Sequence, residues 1–188
     1  MRILMLGNSF TYYNDMPRIL AMMTGWEVAA HTRGGAYLSE HLDPNAELGR
    51  RTLPALRDER WDYVVMQEQS RGPYENREAF FSSVRRLCPL IRAAGATPVL
   101  YSTWAYRDGS QRLADTGMTY DEMLCALREG YRAAAQENDA LVADAGEVFA
   151  AAQGLYDLYT QDDYHPSLHG SLLAAMTIDR CIRGHAGL

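Results

Sequence analysis

Arg2-Ile3-Leu4-Met5-Leu6-Gly7-Asn8-Ser9-Phe10-Thr11 carries four apolar side chains in a row, closed by a glycine and two small polar residues. An unbroken apolar run of this kind reads as a strand buried on both faces, as in a parallel sheet. Asn14, Asp15 and Pro17 follow and are helix-start residues, with Pro17 suited to the first turn. Ser9 therefore falls where a central strand hands over to a helix, on the edge where open α/β sheets bind ligands. A hydroxyl there faces helix N–H groups able to hold a developing negative charge. The alternative is that Ser9 only caps the first helix. The chain has no G-x-x-x-x-G-K-[ST] and no G-x-S-x-G, which excludes a P-loop and the usual nucleophile elbow.

Outward from this stretch, strands and helices alternate. A first helix is expected from about Met16 to Thr24, closed by Gly25, then a strand over Trp26 to Thr32 ending in Arg33-Gly34-Gly35. A polar, irregular segment from Ser39 to Leu48 leads into a short helix around Arg50 to Asp58. Asp62-Tyr63-Val64-Val65-Met66 is a third strand, running into Gln67-Glu68-Gln69-Ser70. Phe80, Val84, Leu87 and Ile91 stand at helical spacing within a long helix from about Asn76 to Ala94. Thr97 to Thr103 is a fourth strand, Tyr106 to Thr116 a polar loop, Met118 to Asn138 a helix and Ala140 to Ala143 a short fifth strand. After Glu147 to Ala152 comes a loop over Gly154 to Pro166, and a last helix starts at Ser167 and ends at Gly184. Five apolar strands alternating with helices make a doubly wound, three-layer α/β/α sandwich, read as one domain over residues 1–188.

Composition narrows the function. Eighteen Arg and Lys against 24 Asp and Glu leave a net charge of −6 without a basic cluster, a poor match to nucleic acid or an anionic membrane. Cys88, Cys125 and Cys181 are scattered singly in helical segments, so buried free thiols are expected rather than a disulfide framework or a structural zinc site. A strand beginning at residue 2 leaves no room for a signal peptide, and no apolar run nears membrane-spanning length, so a cytoplasmic protein is expected.

Four polar clusters fall at predicted strand ends or in the loop before the last helix: Ser9, Gly34-Gly35, Gln67-Glu68-Gln69 and Asp162-Asp163-Tyr164-His165-Pro166. In a parallel sheet these share one edge and converge in space. A nucleophilic hydroxyl needs a base, and the base needs an orienting partner. His165 can be that base with Asp162 beside it, and Pro166 biases His165 away from helical φ/ψ. The bland alternative is a solvated loop that starts a helix. A metal site on Asp162, Asp163, His165 and His169 is the rival chemistry, disfavoured because Pro166 and Ser167 break the helix that would align the two imidazoles. His31, His41 and His185 have no partners at ligand spacing and read as structural or exposed. Acyl transfer also needs oxyanion donors, for which the N–H groups of Ser9 and Gly35 and the amide of Gln69 or Gln67 are candidates.

Taken together, Gly7-Asn8-Ser9-Phe10-Thr11, Gly34-Gly35, Val64-Val65-Met66-Gln67-Glu68-Gln69-Ser70 and Asp162-x-x-His165-Pro166-Ser167 resemble the SGNH (GDSL-like) hydrolases, most closely a bacterial branch that begins with G-N-S-F-T. The resemblance spans nearly the whole chain. It implies a flavodoxin-like sandwich with a central five-stranded parallel sheet, Ser9 as nucleophile, His165 as general base and then acid, and Asp162 orienting His165. It implies oxyanion donors from the N–H groups of Ser9 and Gly35, with no metal and no cofactor. The family usually supplies a side-chain Asn from G-x-N-D after the third strand. Here Gln69 stands at the Asn position and Gln67 at the glycine, and the first block reads G-N-S rather than G-D-S.

Tyr12 and Tyr13 beside the nucleophile, with Arg71, Trp104, Tyr106 and Arg107 in the loops after the third and fourth strands, are the candidate substrate contacts. Aromatics around a small polar site suit a sugar ring, and no long apolar stripe announces an acyl-chain tunnel. A small-molecule ester, such as an O-acetyl group on a carbohydrate, is the expected substrate. A lysophospholipase or thioesterase on the same triad, or a non-catalytic binding module that kept the fold, are the alternatives.

Overall fold

The computed structural model describes residues 1–188. Its centre is a sheet of five parallel strands in the order β2-β1-β3-β4-β5. The strands are β1 (Arg2–Gly7), β2 (Glu27–Thr32), β3 (Tyr63–Met66), β4 (Thr97–Ser102) and β5 (Leu141–Asp144). The helices are α1 (Ser9–Tyr12), α2 (Met16–Thr24), α3 (Glu47–Asp58), α4 (Gly72–Glu75), α5 (Arg77–Ala93), α6 (Gln111–Ala114), α7 (Tyr120–Glu137), α8 (Ala145–Ala152) and α9 (Leu168–Ala186). No helix is long and apolar enough to cross a membrane.

The apolar runs are explained by the two cores they feed. Successive side chains of a strand point to opposite faces. Ile3 and Met5 of β1, with Val65 and Tyr101, enter one core with Leu20 of α2, Phe149 of α8 and Ile178 of α9. Leu4, Leu6, Val64, Met66 and Leu100 enter the other, with Leu56 of α3 and Phe80, Val84, Leu87 and Ile91 of α5. Both faces of the sheet are therefore covered, and no position in β1 past Arg2 is free to be polar.

The strand order places β1 between β2 and β3, and the chain winds to opposite faces on leaving them. The crevice above β1 and β3 is the switch point where doubly wound sheets hold ligands. Gly7 and Met66, the last residues of these strands, stand close together because Leu6 pairs with Met66. Gly7 is needed there: a Cβ would lie 2.4 Å from the Thr11 hydroxyl and 2.7 Å from Oε1 of Gln67.

One alternative is removed and two local expectations are corrected. Ser9 is not the cap of its helix. Asn8 is, its Oδ1 accepting from the N–H of Phe10 at 3.1 Å, which leaves the Ser9 hydroxyl uncommitted to the backbone. The segment over Tyr106 to Thr116 is not all loop, because Ser110 accepts from the N–H of Leu113 and starts α6. The thiols differ: Cys88 is buried, Cys181 half-buried and Cys125 exposed on α7.

Candidate active site

The loop before α9 is folded by its own polar groups and by the extension of β4. Thr160 N–H donates to the carbonyl of His165 at 2.9 Å, and Ser167 N–H to that of Leu158 at 2.9 Å. From the β4 side, Trp104 Nε1 donates to the carbonyl of Tyr164 at 3.0 Å, and the Tyr159 hydroxyl to that of Ala105 at 2.9 Å. Arg107 binds Asp163 at 2.7 Å and Asp157 at 2.9 Å. These contacts fix where His165 stands.

Nε2 of His165 lies 2.8 Å from Oγ of Ser9, and its Nδ1 lies 2.7 Å from Oδ2 of Asp162. The other carboxylate oxygen of Asp162 accepts from the N–H groups of His165 and Tyr164 and from the Thr160 hydroxyl. Burial would raise this carboxyl, but the hydrogen bonds from the His165 ring, the Thr160 hydroxyl and the two backbone N–H groups outweigh it and hold it at about 2. An ionised carboxylate only accepts, so Nδ1 carries the ring proton and Nε2 is left to accept from the Ser9 hydroxyl. The imidazole is stacked on Tyr13 with ring centres 4.1 Å apart and touches Tyr164 at 4.0 Å. A hydroxyl, an imidazole and a carboxylate in this order form a path for removing a proton from Ser9.

Ser9 and His165 open into a cavity of about 370 Å³. Gly34 and Gly35 form one wall and Gln69 and Ser70 another. Gly35 holds φ +67°, a left-handed conformation suited to glycine, and its N–H has no backbone partner. Ser9 is the first residue of α1, so its N–H has no carbonyl within that turn. Gln69 Oε1 accepts from Arg71 N–H at 2.9 Å, which fixes the amide, while its NH₂ makes one long contact of 3.3 Å to Ser70. One amide hydrogen is left over beside the cavity.

Of the residues singled out from the sequence, Ser9, His165, Gly35, Gln69, Tyr12 and Tyr13 line this cavity. Five residues expected at the site stand elsewhere. Gln67 is buried beneath the site: its Oε1 accepts from Asn8 N–H and the Thr11 hydroxyl, and its NH₂ donates to the Glu68 carbonyl. It ties β3 to the Ser9 turn and does not line the cavity. Trp104 is fully buried between Phe10 and Phe149, because it braces the His165 loop. Tyr106 is buried with its hydroxyl bonded to Ser70 at 2.8 Å, and Arg71 pairs with Glu75 outside the cavity. Arg107, also considered a substrate contact, is spent on the loop carboxylates. His169 lies against Tyr156, not beside His165. Arg112 is a cavity residue that sequence reasoning missed, and Tyr164, placed in the His165 cluster but given no role of its own, also lines the cavity. The Ser110-x-x-Leu113 cap signal marked the helix that carries Arg112, but nothing local said which wall it would join.

Beneath the cavity, Glu68 is buried without a cation, its carboxyl accepting from Gln69 N–H at 2.6 Å and Leu38 N–H at 3.3 Å. Burial pushes this carboxyl up to about 7 despite those two bonds. Its proton is thus held more tightly in the folded than in the unfolded chain. The associated stability is complete below about pH 4.5 and is lost as the pH rises to about 7, roughly 3 kcal/mol in all. The imidazole of His41, which burial holds down to about 4, adds stability over much of the same window in both proteins, so the urea-midpoint advantage of the wild type over Glu68→Gln, rather than either midpoint alone, should shrink as the pH rises. Parallel pH profiles would refute the assignment.

A doubly wound sheet whose ligand edge joins Ser, His and Asp side chains defines a class: an α/β protein equipped for nucleophilic and acid–base chemistry. Comparison with solved structures narrows this. A candidate SGNH hydrolase from Slackia heliotrinireducens shares 46% identity, with 97% of this chain and 98% of that one aligned at a TM-score of 0.92. The chain belongs to the SGNH hydrolases and is a hydrolase. A GDSL-like lipase from Bacteroides thetaiotaomicron has the same fold at 15% identity, covering 98% and 88% of the two chains at a TM-score of 0.65. So does an acetyl-xylooligosaccharide esterase from Geobacillus stearmophilus, at 15% identity over 96% and 93% of the chains and a TM-score of 0.67. No family model and no curated protein matches the chain by sequence.

Proposed function

We propose that this hydrolase is a serine esterase acting on a short-chain ester, such as an O-acetyl group on a carbohydrate. The observation that carries the reading is the hydrogen-bonded path from Ser9 Oγ through His165 to Asp162, with its Ser end in the cavity. In the first half-reaction Ser9 Oγ attacks the ester carbonyl as its proton passes to Nε2 of His165. The carbonyl oxygen becomes negative and is met by the N–H groups of Ser9 and Gly35 and the amide of Gln69. Collapse expels the alcohol, protonated by His165, and leaves an acyl-Ser9 ester. Water then attacks that ester with His165 again as base, and His165 returns the proton to Ser9 Oγ as the acid departs. Asp162 holds the imidazole and balances its charge while it is protonated.

The small substrate is supported by the lining. Phe10, Tyr12, Tyr13 and Tyr164 are its hydrophobic members, and no aliphatic side chain is among them. Aromatic faces suit a sugar ring, whereas an acyl chain wants an aliphatic groove. The esterase that shares the fold acts on acetylated xylooligosaccharides, which is consistent with this reading.

The test is hydrolysis of p-nitrophenyl acetate, butyrate and octanoate by the wild type and Ser9→Ala. Rates should fall with acyl length and vanish in the variant. Rates that rise with length would replace the reading by a lipid-directed acylhydrolase. No turnover of any ester by folded wild type would favour a binding module. Gln69→Ala should keep its fold and lose about 10²–10³ in turnover, the usual effect of one missing oxyanion donor. Full turnover in this variant would remove Gln69 from the mechanism.

A further inference from the structure

The chain has no lysine, and its eighteen permanent cations are all arginines. Most are engaged: Arg2, Arg33, Arg107, Arg128 and Arg183, for example, hold carboxylates. Arg112 is not among these. It makes no ion pair, and its guanidinium lies over the ring of Tyr164 at 4.2 Å and near that of Tyr106 at 5.6 Å. Tyr164 in turn touches the imidazole of His165 at 4.0 Å, so the cation stands one aromatic ring away from the Ser9–His165 pair. It lines the same cavity, and no carboxylate lines that cavity with it.

Two aromatic faces fix the plane of a guanidinium while leaving its edge of N–H donors unspent. Such an edge matches the oxygens of a carboxylate or a phosphate. The rest of the protein opposes that preference, because a net charge of −6 repels anions at long range. A lone, seated cation in the cavity of an acidic protein is therefore a local selector. We infer that Arg112 selects esters of anionic small molecules, the substrate carrying a carboxylate or phosphate group that docks on the guanidinium edge while its ester lies at Ser9. This rests on the esterase reading above and names its substrate class: for an acetylated sugar, an acidic or phosphorylated one.

The experiment uses matched acetyl esters that differ in charge: methyl 4-acetoxybenzoate, 4-acetoxybenzoate and 4-acetoxyphenyl phosphate. At low salt, kcat/KM of the wild type should favour at least one anionic ester over the neutral one by about tenfold, the worth of one hydrogen-bonded ion contact. Whichever anion gains more identifies the group. The preference should collapse to near unity in Arg112→Gln, survive in part in Arg112→Lys, and shrink with added salt. A ratio near unity in the wild type, or one unchanged in Arg112→Gln, overturns the inference. Failure of the esterase reading looks different, because then none of the three esters is hydrolysed. In that event, binding of 4-acetoxybenzoate by equilibrium dialysis decides the anion site. A Kd weakened about tenfold by Arg112→Gln supports it, and an equal Kd refutes it.

Discussion

Ser9→Ala is expected to lower turnover on p-nitrophenyl acetate by about 10⁶, to the level left by binding and the oxyanion donors alone. The size follows from the loss of the attacking atom, and His165→Ala should match it because neither group works without the other. The fold should not change. The hydrogen bond to His165 is the one the Ser9 side chain makes, and α1 is capped by Asn8 rather than by Ser9. Thermal melting within about 0.5 kcal/mol of the wild type is the control. A Ser9→Ala protein that turns over within tenfold of the wild type would end the covalent mechanism.

Asp162→Asn should cost about 10⁴ in kcat while KM changes little. Asn keeps one carbonyl oxygen, which can still accept from His165 N–H, Tyr164 N–H and the Thr160 hydroxyl. Its NH₂ then faces Nδ1 of His165 in place of the carboxylate oxygen now 2.7 Å away. That contact is satisfied only if Nδ1 gives up its proton, which moves to Nε2. The imidazole then donates to Ser9 instead of accepting from it, and the base is lost through its tautomer rather than its position. Asp162→Ala removes all four hydrogen bonds at once and should loosen the loop as well, so the two variants separate orientation from folding. An Asp162→Asn enzyme with wild-type kcat would show that the carboxylate is dispensable.

The central strands β1 and β3 were legible because each is an apolar run with nothing else to be. Val64, Val65 and Met66 are not interleaved with polar residues as in a half-exposed sheet, and both sheet faces are indeed covered. The convergence of Ser9 and His165, 156 residues apart, was legible for a related reason. Parallel strands put all their carboxyl ends on one edge, so residues at those ends meet whatever their distance along the chain. Gln67 and Gln69 were not separable in the same way. They are two residues apart with identical side chains, and their fates differ because Gln67 N–H still pairs with Leu6 as an extension of β3, whereas the chain turns before Gln69. Trp104 and Arg112 illustrate the same limit. An aromatic ring after a strand suits a binding wall or a brace, and only the arrival of Phe149 and the His165 loop made it a brace.

The amino-acid sequence by itself determined the layered α/β architecture, the strand order's ligand edge and the chemical groups brought to it. These follow from periodicity and from residue types, which are local properties. The tertiary structure alone decided which amide faces the cavity, which aromatic side chains are buried, and that a single unpaired cation joins the wall. Those outcomes depend on partners supplied by distant segments, and burial or hydrogen bonding to such a partner is not encoded in the residue's own neighbourhood.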